Sequence, residues 1–379
     1  MKIVAAPNAF KGSLSATEAA KAMAEGITQV LPEAEVVQVP VADGGDGLVD
    51  VAVEALNGER RTLKVTGPRN TKVDADFCYV KSMNLVTVEM ALASGLALLP
   101  EELQDPTLTT TYGTGELIRA GLDLGVRRID VGIGGSATND GGIGMAQALG
   151  VRFLAKDGKE LPGIGASLGA IAEIDLSGLD PRVKETTFEA VCDVDNPLCG
   201  PKGAAAVYGP QKGASPAQVK ALDRGLANLA GLIQKQMGLD VIDMPGAGAA
   251  GGLGAGLHAF LGAKLCKGID LIFELVDLNK KLSGADLALT GEGQIDFQTV
   301  FGKAPGGVGV AAKAQGIPCF AIAGAVGEEL GDLHETGISA VFSLCTSPMT
   351  LEVSIKNAKK NLTNVTQQAF RAFLAARKP

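Results

Sequence analysis

The chain has 379 residues, 46 % of them hydrophobic, and this length favours two domains over one ordinary core. Its formal net charge is −8, with neither a basic tract nor a tryptophan, which argues against nucleic acid and anionic membranes as partners. No apolar run approaches the ~18–20 residues of a membrane span, and the first residues are typical of a strand rather than a signal peptide, so we expect a cytoplasmic protein.

The first predicted elements alternate between strand and helix. A buried strand over residues 2–6 precedes Ser15 and Glu18, whose spacing is that of a helix-capping box. After that helix, a second strand over residues 35–40 leads through a glycine loop into a helix that ends near Leu56. This βαβ opening predicts a parallel sheet.

The predicted architecture changes in the middle of the chain, where consecutive strands joined by short turns predict antiparallel pairing. Its predicted elements are strands 61–65, 74–80 and 85–89, helix 114–124, strand 128–133, a short helix ending at Gly150, strand 187–193 and helix 215–237. In the last hundred residues, predicted strands again alternate with helices, which is typical of a parallel sheet. Their predicted elements are strands 286–290, 318–323 and 338–344 and helices 304–315 and 351–377.

Pairing the two parallel parts predicts an α/β protein with two domains. Residues 1–60 and 282–379 would form one discontinuous parallel-sheet domain, and residues 61–281 an inserted mixed α/β domain. Because the chain would cross between the domains twice, we expect a hinged cleft between them.

Two polar segments follow the first two predicted strands. Asn8–Ser13 opens the first helix, where free N–H groups and Lys11 could hold a phosphate or a carboxylate; a surface lysine in a turn is the alternative. The next segment is a glycine loop that carries Asp43 and Asp46. Two carboxylates on such a loop suit Mg²⁺, although they could instead cap the next helix.

A loop of small polar residues follows the predicted strand over residues 128–133. It lacks the spacing of a P-loop, but small residues let the backbone approach an anion and the hydroxyls add donors. A tight connection without a ligand is the alternative. The candidate ligand contacts in this loop are Gly134, Gly135, Ser136, Thr138 and Asn139.

Two further segments combine carboxylates with lysines. Asp193 and Asp195 crowd the end of a strand, and with Lys212 they fit either a metal-bound nucleotide or an acidic substrate; a proline turn is the alternative. The last segment follows the strand predicted over residues 286–290. It carries Gly291, Glu292, Asp296 and Lys303, which include the carboxylates and the cation that phosphoryl transfer needs.

Taken together and in order, these segments resemble the type 1 glycerate kinase family over essentially the whole chain. The stretches that carry the resemblance are FKGSLSA, ADGGDG, GGSATNDGG, DVDNPLCGPKGAA, GPQKGA, PGAGAAGGLG, LTGEGQID and QTVFGKAP. The resemblance implies a discontinuous Rossmann-like domain with a mixed α/β domain. It also implies ATP-dependent phosphorylation of D-glycerate, commonly at the 2-hydroxyl to give 2-phosphoglycerate.

One position departs from that family, which usually has an aspartate where this chain has Asn8. An amide cannot accept a proton as a base, so Asn8 is expected to be at most a ligand contact. Asp296 is our first choice for the carboxylate that orients and deprotonates the reacting hydroxyl, and Asp195 is the second. Lys11 and Lys303 are expected to act with them by neutralising a phosphate or carboxylate.

ATP and Mg²⁺ are the expected cofactors. The glycine loops with Lys212, Gly291 and Glu292 would hold the nucleotide, and Asp43, Asp46 and Asp193 the metal. Two other functions stay open: a kinase for another small hydroxy acid, or a catalytically silent sensor of nucleotides or sugar acids. The sequence leaves the oligomeric state open, with a homodimer as one candidate.

Overall fold

The computed structural model describes residues 1–42, 47–296, 299 and 303–377. The strands are β1 (Lys2–Ala5), β2 (Glu35–Gln38), β3 (Glu59–Thr66), β4 (Lys72–Val80), β5 (Leu85–Glu89), β6 (Arg128–Gly132), β7 (Arg152–Leu154), β8 (Glu173–Asp175), β9 (Thr187–Val191), β10 (Lys264–Cys266), β11 (Leu287–Ile295), β12 (Cys319–Val326) and β13 (Ile338–Ser343). The helices are α1 (Ala16–Val30), α2 (Leu48–Ala55), α3 (Met90–Ser94), α4 (Tyr112–Asp123), α5 (Ile143–Ala148), α6 (Ala204–Tyr208), α7 (Pro216–Met237), α8 (Ala249–Leu261), α9 (Gly268–Leu275), α10 (Leu278–Leu282), α11 (Ala304–Ala314), α12 (Leu351–Lys356) and α13 (Ala358–Ala376). The predicted α/β class is confirmed.

The chain divides into two compact units. The first unit comprises Met1–Asp43, Glu54–Leu56 and Ile269–Pro379, and the second comprises Gly44–Val53 and Asn57–Gly268. The division into domains at residues 60 and 282 stays a prediction.

A five-stranded sheet organises the first unit. Its strand order is β13-β12-β11-β1-β2, and all neighbouring strands pair in parallel. The chain leaves β1 towards β2 on one side, whereas β11, β12 and β13 follow one another on the other side. The sheet therefore has a topological switch between β1 and β11, a place where ligands bind beyond the carboxyl ends of the strands.

The core of the first unit forms where the sheet meets α1 and α13. Strand residues such as Ile3 and Leu289 are fully buried, as are Met23 of α1 and Phe370 of α13. Helix α1 begins at the predicted capping box: the Ser15 hydroxyl accepts from the Glu18 N–H, and the Glu18 carboxylate accepts from the Ser15 N–H. Local sequence therefore fixes where α1 starts, and burial fixes the face that it presents.

A six-stranded mixed sheet organises the second unit, with the order β10-β9-β6-β5-β4-β3. The pairs β3–β4 and β4–β5 are antiparallel, as the short turns predict, and the pairs β5–β6, β6–β9 and β9–β10 are parallel. Helices α4, α5, α7 and α8 contribute to a large apolar core against this sheet. The parallel half matters for function, because the loops after β6 and β9 begin at the same edge.

The structure corrects two predicted elements and adds several. Strand β11 continues to Ile295, so Gly291 and Glu292 lie within the strand rather than in a loop behind Thr290. Its ladder with β12 continues as far as the pair Ile295 and Val326, which overrides the weak strand preference of the glycines. The helix predicted over residues 351–377 is two helices, α12 and α13. Strands β7, β8 and β10 and helices α3, α6, α9 and α10 were missed.

Candidate active site

A cavity of about 280 Å³ lies in the second unit at the carboxyl ends of β6 and β9. We name it the lysine cavity, because Lys212 forms part of its wall. Its other lining residues are Leu96, Ile133, Gly134, Gly135, Ser136, Val191, Cys192, Asp193, Val194, Tyr208, Gln211, Ala249 and Ala250. The glycine loop and the aspartate segment, which are distant in sequence, thus line one space because β6 and β9 are parallel neighbours.

Lys212 is the most unusual side chain in this cavity, since only 2 % of it is exposed. Its ammonium donates to the Ser136 hydroxyl and to the Thr138 carbonyl oxygen, both at 2.7 Å. Burial lowers the pKa of Lys212 to about 7, although the nearby Asp140 carboxylate opposes that shift. The cavity therefore holds a fixed donor whose charged form would be stabilised by an anion.

Asp140 holds the loop against which Lys212 packs. It is fully buried and accepts hydrogen bonds from the Thr111 N–H and hydroxyl, both at 2.8 Å, and from the N–H groups of Gly142 at 3.1 Å and Gly144 at 3.3 Å. Burial raises the pKa of the Asp140 carboxyl, and these hydrogen bonds oppose the rise. Asp140 thus fixes the loop that also carries Ser136, whose hydroxyl accepts from Lys212.

Thr138 and Asn139 are also completely buried. Within the described part of the chain, the Thr138 hydroxyl and both polar atoms of the Asn139 amide have no hydrogen-bond partner. Gly251, at a φ of +68°, lies against this backbone so closely that a Cβ on it would be 2.0 Å from the Thr138 oxygen. Only glycine fits that close approach, which keeps the Thr138 carbonyl in place as the acceptor of Lys212.

The aspartates after β9 are exposed. The Asp193 carboxylate accepts from the Gly268 N–H at the start of α9, at 2.9 Å, and Asp195 follows two positions later. The Asn196 amide oxygen accepts from the Tyr208 hydroxyl at 2.7 Å, which ties this segment to the cavity wall. Asp193 therefore lines the lysine cavity, whereas Asp195 is not among its lining residues.

The predicted metal ligands Asp43 and Asp46 lie outside the described residues. In the residues that follow this segment in the chain, the N–H groups of Gly47 and Val49 donate to the Glu89 carboxylate at the end of β5, at 3.2 Å and 2.7 Å respectively. Glu89 thus satisfies donors at the start of α2, with its negative charge at the positive end of the helix. No motif in the sequence signals this contact between residues 40 positions apart.

A second cavity, of about 430 Å³, lies in the first unit at the carboxyl ends of β11, β12 and β13. We name it the strand-end cavity. Its lining residues are Phe10, Lys11, Ser13, Gly293, Gln294, Gly324, Ala325, Leu344, Cys345, Met349, Thr350, Leu351, Ser354, Ile355 and Ala358. Of the predicted site residues, Lys11 lines this cavity, and its side chain is exposed.

Asp296 follows β11 directly and is half-buried. Its carboxylate accepts from the Gln294 amide at 3.1 Å, and its N–H donates to the Thr299 hydroxyl at 3.2 Å. The same Thr299 hydroxyl donates to the buried Glu292 carboxylate at 3.3 Å. Glu292 and Asp296 are therefore linked through Thr299, and Lys303 is the residue at the N-cap position of α11.

The predicted site residues thus form two groups. Gly134, Gly135, Ser136, Asp193 and Lys212 line the lysine cavity of the second unit. The first unit contains Asn8, whose N–H donates to the Gly291 carbonyl oxygen at 2.8 Å, together with Lys11, Glu292, Asp296 and Lys303. Sequence reasoning missed Asp140, Thr111 and Tyr208, and Asp140 alone had a signal, because it stands inside the conspicuous loop of small polar residues.

The described residues contain no helix that is both long enough and apolar enough to cross a bilayer. They also contain no cluster of three or more histidine, cysteine, aspartate or glutamate side chains that could bind a metal by themselves.

Comparison with known proteins assigns the family. Residues 3–374 match the Glycerate kinase family. The chain is 48 % identical over 354 residues to the glycerate kinase of Halalkalibacterium halodurans, with 93 % of each chain covered. It is 46 % identical to the glycerate 2-kinase of Escherichia coli, with 97 % of this chain and 96 % of the relative covered. This chain belongs to the glycerate kinase family.

A solved structure supports the same assignment. A crystal structure from Salmonella typhimurium LT2, named as a glycerate kinase 2, aligns with a TM-score of 0.92 and 44 % sequence identity, covering 100 % of this chain and 99 % of that chain. The predicted family and the predicted class of enzyme, a kinase acting on glycerate, are confirmed. Membership of a kinase family also implies the use of ATP.

Proposed function

We propose that this chain transfers the γ-phosphoryl group of ATP to the 2-hydroxyl of D-glycerate and releases 2-phosphoglycerate and ADP. The observation that carries the proposal is the agreement over nearly the whole chain with glycerate kinases, one of them named as a glycerate 2-kinase. Use of ATP as a substrate fits the cytoplasmic location that we expect.

The lysine cavity supports an anionic substrate of small size. At the ordinary pH of the cytoplasm a lysine with a pKa of about 7 is only partly charged, and a bound carboxylate or phosphate would favour its ammonium form. The Ser136 hydroxyl, which now accepts from Lys212, can donate its own proton to the same anion. A glycerate carboxylate bound here would accept a charge-assisted hydrogen bond from the Lys212 ammonium and a second hydrogen bond from the Ser136 hydroxyl.

We assign to Asp296 the role of the general base that accepts the proton of the reacting hydroxyl. It is half-buried and directly follows β11, and the Gln294 amide that donates to its carboxylate restricts the orientation of that group. A carboxylate that accepts the hydrogen bond of the reacting hydroxyl aligns the nucleophile with the γ-phosphoryl group and takes its proton during transfer. Asp195 is the alternative, since it is an exposed carboxylate after β9.

The donor chemistry of the aspartates fits Mg²⁺. Kinases bind this ion through one or two carboxylates together with phosphate oxygens of the substrate, so a cluster of three protein ligands is not needed. Asp193 would contribute such an oxygen, and Asp43 and Asp46 belong to the same proposal. The ion, when bound, would neutralise charge on the phosphates; this chain's own contribution is to place the carboxylate and the lysines.

The direct test is product analysis of the purified chain. With ATP, Mg²⁺ and D-glycerate, we expect ADP formation that stops when either Mg²⁺ or D-glycerate is omitted. Phosphorus NMR distinguishes 2-phosphoglycerate, the expected product, from 3-phosphoglycerate, which would contradict the proposed regiochemistry. A panel of other small hydroxy acids is the control: faster turnover of one of them would reassign the substrate, and ATP binding without any turnover would indicate a sensor.

A further inference from the structure

The strand-end cavity of the first unit is larger and more apolar than a site for a three-carbon acid needs to be. Its lining therefore indicates a different ligand. It lies at the carboxyl ends of β11, β12 and β13, beside the switch point between β1 and β11, where parallel sheets bind their ligands. Its volume of about 430 Å³ is in the range of sites for nucleoside-sized molecules.

The walls of this cavity are apolar. Phe10 and Leu344 are each 2 % exposed and form its inner surface, and Met349 lies beside them. On the outer side, α12 contains no buried residue, and two of its apolar side chains, Leu351 and Ile355, line the cavity. Leu351 is 76 % exposed, so a ligand in the cavity would cover apolar surface that otherwise faces water.

The floor of the cavity is flat backbone. Gly293 of β11 and Gly324 of β12 lie side by side, and a Cβ on Gly324 would be 2.6 Å from the Gly293 carbonyl oxygen. The absence of side chains at both positions leaves a smooth surface between the apolar walls. A planar ring fits such a slot better than a small, strongly hydrated acid does.

The charge of the cavity lies on one side only. Lys11 is the single charged residue among the described lining residues, and it is exposed at the loop that follows β1. Polar side chains that could contact a ring or a ribose are Ser13, Gln294, Thr350 and Ser354. The cavity thus combines an apolar slot with a cation at its rim, which matches a molecule that has an uncharged ring and an anionic tail.

We propose that the strand-end cavity binds the nucleoside of ATP, with the adenine between α12 and the glycine floor and the phosphates on the side of Lys11. This inference rests on the proposed function, since ATP is the substrate that contains a planar ring, the adenine. It assigns nucleoside binding to residues on α12 and at the ends of β12 and β13, none of which carries a recognisable motif.

Two variants of α12 test the proposal against a matched control. Ile355→Glu and Leu351→Glu place a carboxylate in the apolar wall, and Val353→Glu places the same charge on the same helix at a residue that does not line the cavity. All three side chains are at least partly exposed, at 39 %, 76 % and 45 % respectively, so the melting temperature should stay close to that of the wild type.

The measurement is equilibrium binding of ATP in the absence of glycerate, followed by competition with adenosine. We expect Ile355→Glu and Leu351→Glu to weaken ATP binding by about tenfold or more, and Val353→Glu to leave it within about twofold. Adenosine should displace ATP from the wild type. Unchanged ATP binding in both cavity variants would overturn the proposal, as would a selective rise in the KM for glycerate.

The outcome also separates this proposal from the proposed function. If the wild type binds ATP in a manner that depends on Ile355 but phosphorylates no glycerate, the function fails and the nucleoside site stands. If glycerate is phosphorylated and both cavity variants have normal KM values for ATP, the function stands and the nucleoside site is wrong. A wild type that binds no ATP at all overturns both.

Discussion

The lysine cavity and the strand-end cavity differ in where their charge lies. In the lysine cavity a cation is buried, with its ammonium fixed by Ser136 and the Thr138 backbone. In the strand-end cavity the inner wall is buried and apolar, the outer wall on α12 is apolar but exposed, and the cation Lys11 is exposed at the rim.

If the lysine cavity binds glycerate and the strand-end cavity binds ATP, as we propose, this contrast would let one kinase distinguish its two anionic substrates. A buried, desolvated ammonium interacts strongly with a small anion, because little water competes for the charge. An exposed lysine gives only weak Coulombic attraction, so affinity must come from apolar surface that the small acid lacks. Under that proposal, charge in the lysine cavity and apolar area in the strand-end cavity would select different ligands.

The largest expected effect on turnover comes from replacing Asp296, whose carboxylate accepts from Gln294 in the lining of the strand-end cavity. Asp296→Asn keeps the size of the side chain and removes the basicity, so we expect kcat to fall by about 10²–10⁴-fold. The melting temperature should change little, because Asp296 is only half-buried and the amide can still accept from Gln294. Steady-state kinetics at several Mg²⁺ concentrations, beside a thermal melt, check this.

Each alternative role of Asp296 has its own result. Partial recovery of activity at high Mg²⁺ would assign it to metal binding instead of proton transfer. Near-normal turnover would remove Asp296 from the mechanism and make Asp195 the first candidate.

The next effect concerns the lysine cavity. Lys212→Met keeps an unbranched side chain of nearly the same length but removes the donor, and we expect kcat/KM for glycerate to fall by about 10²-fold, as for loss of a charge-assisted contact. If the comparison of the two cavities is right, ATP binding in the absence of glycerate should be unchanged. Titration calorimetry with ATP is the check, and a large loss of ATP affinity would place the nucleotide in the lysine cavity.

The smallest effect is the dependence of stability on pH that Lys212 introduces. Its pKa is about 7 in the folded chain against an ordinary 10.5, so between these values the unfolded chain binds more protons. The contribution of Lys212 therefore makes the protein more stable as the pH rises from about 7 towards 10.5, by at most about 1.4 kcal/mol per pH unit, and is constant below that window.

Urea unfolding of the wild type and Lys212→Met at pH 7, 8 and 9 tests this contribution. Relative to the wild type, the methionine variant should be most stable at pH 7 and should lose that advantage steadily as the pH rises. A difference that does not change with pH would mean that the folded chain does not depress the pKa of Lys212. The titrating groups that do not interact with Lys212 are common to both proteins and cancel in the comparison, and Asp140, which does interact with it, is the exception.

The sequence by itself determined the α/β class, the order of most strands and helices, and the loops that carry the candidate residues. These features depend on short-range causes: the hydrophobic period, the Ser15 capping box and glycine-rich turns act within a few residues. The same local stretches also determined the family, because eight of them occur in order along the chain.

Only the tertiary structure decided what those residues experience. The sequence makes Lys212 a candidate anion contact, but only the fold brings Ser136, 76 positions earlier, beside it and buries the lysine. Strand β11 runs through two glycines because β12 supplies partners for its backbone. Burial, desolvation and strand pairing arise between elements far apart in sequence, so no local pattern contains the buried cation of one cavity or the apolar slot of the other.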